Sequence, residues 1–502
     1  MRRRLVLVLL VCVMAGPLGA QTAPRGPLAS DLGRYFQGRT WRNATWGALV
    51  VSLTSGDTLF TWNADRRFIP ASNAKLFTTG AALHILGPGY RFLTVLFADG
   101  PIRGGELQGD LVLYGTGDPT FALDTAGLAP FADSVVMAGI RRIRGDMVGD
   151  ASFLGTELTG PGWAPDNLDR AFAAPLSALG AAENRVLVTL RPGPRPGTPA
   201  TVEMEPATDY FRISSLVLTA ARGRTRIEVR HGRGGVVELT GDIRQSSAGW
   251  TTSLVVQEPA VFAATLLRQL LEVRGITITG GTRSVTDDAP GRAQTMLRRS
   301  ARGDDPFQGA LAVRRSAPLE DIVTMINHRS HNLSAELVLR SIGRVAGNSG
   351  TWASGARTVQ QFLVRQVGIP PDAVQVSDGS GLSLLDEATP RSLVQLLAYM
   401  RRSPEGPEFV RSLPLVGEGM TTRMTSTAAA GRLRAKTGTL STVSALSGYV
   451  TTAGGEELAF SMIVNNAPNI NRARQVQDSV GAFLAQWLRP AVAAPAPSPG
   501  EP

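Results

Sequence analysis

Pro70-Ala71-Ser72-Asn73-Ala74-Lys75-Leu76 places a serine three residues before one of the only two lysines in the chain. The other lysine opens Lys436-Thr437-Gly438-Thr439, and the remaining 49 basic residues are all arginine. A chain that writes positive charge as arginine so consistently needs a chemical reason for a lysine. An ammonium gives up its proton when it is desolvated, whereas a guanidinium effectively does not. A serine hydroxyl is a poor nucleophile until a neighbouring base takes its proton. An amine whose pKa is depressed by burial and nearby positive charge can be that base. Ser72 and Lys75 therefore point to an activated-serine enzyme.

A helix is expected from about Ser72 to Leu86, stopped by Gly87-Pro88-Gly89. Ser72 and Lys75 would share one face of it, a single turn apart. The helix start also supplies free backbone N–H groups for developing negative charge. Upstream, Trp46 to Trp62 alternates apolar and polar residues around Ser55-Gly56-Asp57, a hairpin pattern. From about Phe92 to Leu311 short β-like runs alternate with Gly, Pro and Asp. Helical patterns interrupt them near Leu128–Ala138 and Pro259–Val273. Gly115-Thr116-Gly117 reads as a tight turn, since it lacks the third glycine and following helix of a phosphate loop.

Helical periodicity returns at Leu319–Met325, Ser334–Val345, Trp352–Val367 and Pro390–Arg401. Leu433–Leu440, Ala445–Thr452 and Glu457–Val464 read as strands, and Gln475–Leu488 as a closing amphipathic helix. The fold class is therefore α+β. The early hairpin and the three late strands would make a five-stranded antiparallel sheet with helices on its face. That sheet requires a discontinuous main domain, residues 27–91 and 312–489, carrying a β-rich insertion at 92–311. The Pro/Ala-rich tail 490–502 reads as disordered.

Arg2-Arg3-Arg4 ahead of the apolar run Leu5–Ala15, with small residues at Gly19 and Ala20, reads as a signal peptide over residues 1–20. The run is too short to span a bilayer, which takes about 20 residues, so no transmembrane anchor is expected after cleavage. Removal would also take away the only cysteine, Cys12, and with it thiol catalysis and cysteine metal sites. The location implied is exported, periplasmic or extracellular. Net charge is +10, or +7 without the three leader arginines. The charges are scattered without interleaved aromatics, which gives no nucleic-acid surface.

Ser330-His331-Asn332 supplies a second hydroxyl and an amide that could relay protons and orient a substrate. Lys436-Thr437-Gly438-Thr439 adds an ammonium, two hydroxyls and a glycine that admits close approach. Each motif alone is common; in this order, consuming both lysines, they converge on one chemistry. No serine has glycine at both −2 and +2, so the nucleophile elbow of histidine-triad hydrolases is missing. The four histidines carry no third-ligand spacing for a metal, and no cofactor is expected.

The triplet SxxK, SxN and KTG is shared by β-lactamases and penicillin-binding proteins. The sequence resembles more specifically the class C, low-molecular-mass penicillin-binding proteins, the D-alanyl-D-alanine carboxypeptidase/endopeptidases of the penicillin-binding protein 4 type. Likeness extends over nearly the whole chain. It includes Pro70–Leu76, Gly117-Asp118-Pro119-Thr120, Gly145–Asp150, Pro161-Gly162-Trp163, Ala174–Leu179, Asp378-Gly379-Ser380-Gly381-Leu382-Ser383 and Lys436–Leu440. The resemblance implies a β-lactamase/transpeptidase-like catalytic domain whose insertion comprises two nested domains, the inner one at about 180–257. It implies Ser72 as acylated nucleophile and Lys75 as its base, with Ser330, Asn332 and Lys436 relaying protons and holding the peptide. The Ser72 and Thr439 N–H groups would form the oxyanion hole. Thr437, Gly438 and Thr439 would bind the substrate end, with the two hydroxyls on its terminal carboxylate, and Asp150 would touch the stem-peptide side chain. Where the family often has Arg after Gly-Leu-Ser this chain has Leu384, which leaves the side-chain preference open.

The implied activity is a serine DD-peptidase acting on D-Ala-D-Ala in peptidoglycan stem peptides, and by extension on D-Ala–diamino acid cross-links, with β-lactams as covalent inhibitors. The alternatives are a β-lactamase or esterase on the same scaffold, or a non-catalytic wall-binding protein. Lys75→Arg keeps the charge but not the removable proton. It is expected to slow penicillin acylation by several orders of magnitude, and near-normal acylation would refute the base role.

Overall fold

The computed structural model describes residues 27–490 apart from 233, 288–291, 293–294, 297–298 and 300–301. The expected leader, 1–20, and nearly all of the expected tail, 490–502, lie outside the described residues. β1 (Thr45–Ser52) and β2 (Thr58–Trp62) form the hairpin. A 3₁₀ turn at Ala71–Asn73 then runs into α1 (Ala74–Leu86). Next come β3 (Leu93–Asp99), β4 (Asp110–Gly115), β5 (Met147–Asp150), β6 (Thr282–Val285) and β7 (Ala310–Arg315). The helices α2 (Leu319–Arg329), α3 (Asn332–Ala346), α4 (Trp352–Phe362) and α5 (Pro390–Arg402) follow. The chain closes with β8 (Leu433–Leu440), β9 (Val443–Thr451), β10 (Glu457–Asn465) and α6 (Ile470–Gln486).

The strand order β2-β1-β10-β9-β8 makes a fully antiparallel sheet from the two ends of the chain. Successive strand residues face opposite sides, and here both sides are covered. Trp46, Ala48, Val50, Leu446, Val450, Leu458, Phe460, Met462 and Val464 join one core with α6 and the helix at Pro27–Gly33. Leu49, Ala445, Tyr449, Ala459 and Ile463 join the other core, with α1, α2, α3 and α5. Burial on both faces explains why the late strands read as near-continuous apolar runs. Gly448, opposite Phe460, sits where a Cβ would come 2.0 Å from the Arg434 carbonyl.

Residues between the two halves build separate sheets. β6-β5-β4-β3-β7 forms a second five-stranded sheet, parallel among β6, β5 and β4 and antiparallel at β3 and β7. Residues 185–255 supply a three-stranded and a four-stranded sheet. No helix among the described residues is long and apolar enough to cross a membrane.

Several element boundaries differ from the sequence reading by a few residues, two of them for a visible reason. The serine lies in a 3₁₀ turn rather than in the helix, because Ala71 takes a left-handed φ of 48° and the Asn73 side chain donates to the Lys436 carbonyl. The closing helix starts at Ile470, not Gln475, because the Asn469 side chain accepts from the Arg472 N–H and caps it.

Phe460 is fully buried at the centre of the antiparallel sheet. Phe460→Ala is expected to cost about 3–5 kcal/mol, read as a lower midpoint in chemical denaturation; an unchanged midpoint would place the core elsewhere.

Candidate active site

Lys75 begins the first full turn of α1, and its side chain is completely buried. Nζ donates to three acceptors: Ser72 Oγ at 3.1 Å, Asn332 Oδ1 at 2.7 Å and the Ser380 carbonyl at 2.7 Å. Burial pushes the amine down to about 8, against the pull of Asp378, Glu336 and Asp386. Ser72 itself is half-buried, reachable from the cleft.

Lys436 approaches from the edge strand β8. Its Nζ donates to Ser330 Oγ at 2.8 Å and to the Thr437 carbonyl at 2.9 Å. Burial, and next the charge of Lys75, hold its pKa well below the ordinary lysine value. Ser330 caps α2 with a left-handed φ of 53°. That uncommon conformation for a side-chain-bearing residue turns the chain so that Asn332, two residues on, opens α3 beside Lys75. His331, between them, accepts from the Ser334 N–H and caps α3, so the middle of the motif serves the helix. Asn332 Nδ2 donates to the Phe172 carbonyl, which ties residues before the 185–255 sheets to the cleft.

Close packing joins the strand to the serine turn. A Cβ at Gly438 would lie 2.9 Å from the Pro70 carbonyl and 3.1 Å from the Ser72 nitrogen. Gly381 takes φ 77°, and a Cβ there would sit 1.9 Å from the Ala71 carbonyl. Only glycine permits both contacts. The loop Ser377–Ser383 between α4 and α5 is thereby pressed against the turn that carries Ser72.

Thr437 and Thr439 alternate away from Lys436 and line a cavity of about 530 Å³ with Arg474, Arg423, His328 and Asp478. Arg474, on α6, donates to Thr439 Oγ1 at 3.0 Å. Beyond Ala435, whose N–H donates to the Pro414 carbonyl, no strand among the described residues pairs with the outer edge of β8. An open edge can accept an extended peptide by strand addition.

The structure thus brings Ser72, Lys75, Ser330, Asn332, Lys436, Thr437, Gly438 and Thr439 to one cleft. It does not bring Asp150 there by contact. Asp150 ends β5, opposite Tyr114 and Val285, and is 2 % exposed. Its two oxygens accept from the N–H groups of Ser152 and Arg292, and burial raises its carboxyl above the ordinary range. These two bonds anchor the carboxylate at the end of β5. Leu384 is half exposed on the loop rim, its N–H donating to the Gly162 carbonyl.

Sequence reasoning missed Glu336, the Ser380 carbonyl and Arg474. Glu336 lies one turn after Asn332 on the same helix, a spacing that could have flagged it. A backbone carbonyl and a distant arginine give no such signal. Among the described residues no group of three His, Cys, Asp or Glu side chains is arranged to hold a metal ion.

A serine whose hydroxyl is held by a buried lysine, on an antiparallel sheet flanked by helices, defines a serine hydrolase of the Ser–Lys class. Residues 28–487 match the family model described as D-Ala-D-Ala carboxypeptidase 3 (S13). The chain is 33 % identical over 480 residues to a D-alanyl-D-alanine carboxypeptidase of Actinomadura sp. (strain R39), covering 92 % of this chain and 85 % of the relative. Its fold is that of penicillin binding protein 4 (dacB) from Haemophilus influenzae, with a TM-score of 0.78 at 23 % identity over 92 % of this chain and all of that one. The same Haemophilus protein in complex with a β-lactam superposes with a TM-score of 0.71 at 22 % identity, over 91 % of this chain and 99 % of that one. The chain belongs to the D-Ala-D-Ala carboxypeptidase 3 (S13) family.

Gly381→Ala is expected to displace the Ala71–Ser72 turn while leaving the cores intact. Acylation by penicillin, per folded chain, should fall at least ~10-fold, since a misplacement of about 1 Å can cost 10²-fold. Wild-type acylation by this variant would show that the loop does not position the serine.

Proposed function

We propose that this chain is a serine DD-peptidase that cleaves the D-Ala-D-Ala end of peptidoglycan stem peptides through an acyl-enzyme on Ser72. The observation that carries the reading is the bonding of Lys75. As an ammonium, Nζ donates to all three of its acceptors. As a free amine it keeps N–H bonds to Asn332 and Ser380, and its lone pair faces the Ser72 hydroxyl. The two shorter contacts fix the nitrogen, and the longer one, 3.1 Å, is where the proton moves.

In the first half-reaction Ser72 Oγ transfers its proton to Lys75 Nζ and bonds to the carbonyl carbon of the penultimate D-Ala. The carbonyl oxygen takes up negative charge opposite the N–H groups of Ser72 and Thr439, whose placement is supported by the contact of Gly438 with the serine turn. Ser330 passes its proton to the leaving amine as the peptide bond breaks and takes one in turn from Lys436 Nζ, which donates to it. Water then yields a proton through Ser330 to the Lys436 amine as it attacks the ester, and Lys75 returns its proton to Ser72 Oγ as the acyl bond breaks. Thr437 and Thr439 receive the terminal carboxylate, with Arg474 adding its charge through Thr439. Covalent inhibition by β-lactams, which offer an acylating carbonyl to the same serine, follows from this chemistry. D-Ala–diamino acid cross-links present the same scissile geometry.

An exported location, periplasmic or extracellular, belongs to the proposal and rests on the basic-then-apolar start of the sequence. So does the division into a catalytic domain of residues 27–91 and 312–489 and an insertion at 92–311. It is supported by a terminal sheet that shares no strand with the sheets between.

The test is release of D-Ala from a stem peptide ending in D-Ala-D-Ala. Lys75 must be unprotonated to act, so the rate is expected to rise with pH through a midpoint near 8. Ser72→Ala should abolish release. A rate that is flat from pH 6 to 9, or that survives in Ser72→Ala, contradicts the proposal.

A further inference from the structure

Beneath the catalytic cleft lies a cluster of carboxylates that the mechanism above does not use. Glu336, Asp378 and Asp386 are 0–1 % exposed. Glu336 projects from α3 one turn after Asn332. Its Oε1 accepts from the Ser380 N–H at 2.8 Å; its Oε2 accepts from the Gly379 N–H at 2.8 Å and the Trp352 indole N–H at 2.7 Å. Asp378 accepts from the N–H groups of Ser380, Gly381 and Ser383 and from the Trp163 indole. Asp386 accepts from Ser377 and Asp378 N–H groups.

These bonds converge on one peptide segment. The Ser380 N–H points to Glu336, and the Ser380 carbonyl accepts from Lys75 Nζ. A single residue therefore stands between a buried carboxylate and the catalytic amine. We propose that Glu336 is a positioning residue for acylation, one that clamps the Gly379–Ser380 backbone and through the Ser380 carbonyl sets both the place and the charge of Lys75. The proposal rests on the Ser72–Lys75 reading above.

The electrostatics run the same way. Facing Glu336 are Lys75 from α1, Asp378 from the loop and Arg340 from α3, which is itself drawn to Glu157; Asp386 bears on Asp378 and Lys75, and Lys436 on Lys75 from across the cleft. Burial, then the neighbouring Asp378, pushes the Glu336 carboxyl up to about 8. Burial and Asp378 push Asp386 higher than its ordinary range as well. The anionic form of Glu336 favours the ammonium form of Lys75, so removing that charge makes the free amine available at lower pH. Removing the clamp at the same time loosens the nitrogen that must meet Ser72.

The two effects separate in two variants. Glu336→Gln removes the charge and spoils the pattern of acceptors. Glu336→Asp keeps the charge but falls one methylene short of the two backbone N–H groups. The measurement is the rate of benzylpenicillin acylation against pH, per active site titrated, on the full chain. Glu336→Gln should shift the midpoint to lower pH and lower the plateau roughly 10-fold or more. Glu336→Asp should lower the plateau while holding the midpoint near the wild-type value. Trp352→Phe, which withdraws one donor and leaves the carboxylate in place, should move the midpoint the same way as Glu336→Gln by less, and it keeps the test open if Glu336→Gln does not fold. A merely structural glutamate would change only the fraction of active protein. Wild-type midpoint and plateau per active site in the variants would overturn the inference. Failure of the wild-type chain itself to acylate Ser72 would instead overturn the underlying reading and the inference with it.

Discussion

One nitrogen, Lys75 Nζ, is the point at which the molecule's separate parts must agree. From a fully buried position it reaches a hydroxyl from its own turn, an amide 257 positions away and a backbone carbonyl 305 positions away. An ammonium buried this way is costly unless its donors are satisfied, and all three are. The same burial makes its proton removable. Stability and reactivity thus come from one arrangement: without the three acceptors the lysine would seek solvent, and without burial it would be an ordinary surface cation.

Holding that nitrogen in place explains much of the architecture. The sheet is closed by strands from both ends of the chain, which puts Lys436 at its edge and the Ser72 turn against the strand at Gly438. The helices α2 and α3 are joined by the left-handed Ser330, which hands a hydroxyl to one lysine and an amide to the other. The loop after α4 carries its glycine at the one place where a side chain would strike the serine turn. Residues of the long intervening segment are not passive: Phe172 offers its carbonyl to Asn332, and Trp163 donates to Asp378 beneath the catalytic loop.

The reactive groups were legible in the sequence because the chain is so poor in lysine. With 49 arginines as background, Lys75 and Lys436 stood out, and the spacing of Ser72 to Lys75 told which hydroxyl one of them served. The sheet was legible for a similar reason, since apolar runs at both ends had no partner except each other. The supporting structure was not. Ser380 acts through its carbonyl, which every residue has. Glu336 looks like any helical glutamate until the helix is packed, and the left-handed backbone at Ala71 has no glycine to announce it. For Asp150 family likeness suggested a substrate contact, and its buried place in the register of the second sheet was not legible beforehand. Family membership, over residues 28–487, supports the chemistry assigned to the serine without fixing these details.

The most direct test is to incubate the intact chain with benzylpenicillin, digest it and locate the adduct by mass spectrometry. A single penicilloyl group per chain, carried on the peptide containing Ser72, is the predicted result. No adduct, or one bonded at any other residue, would contradict the account at its centre.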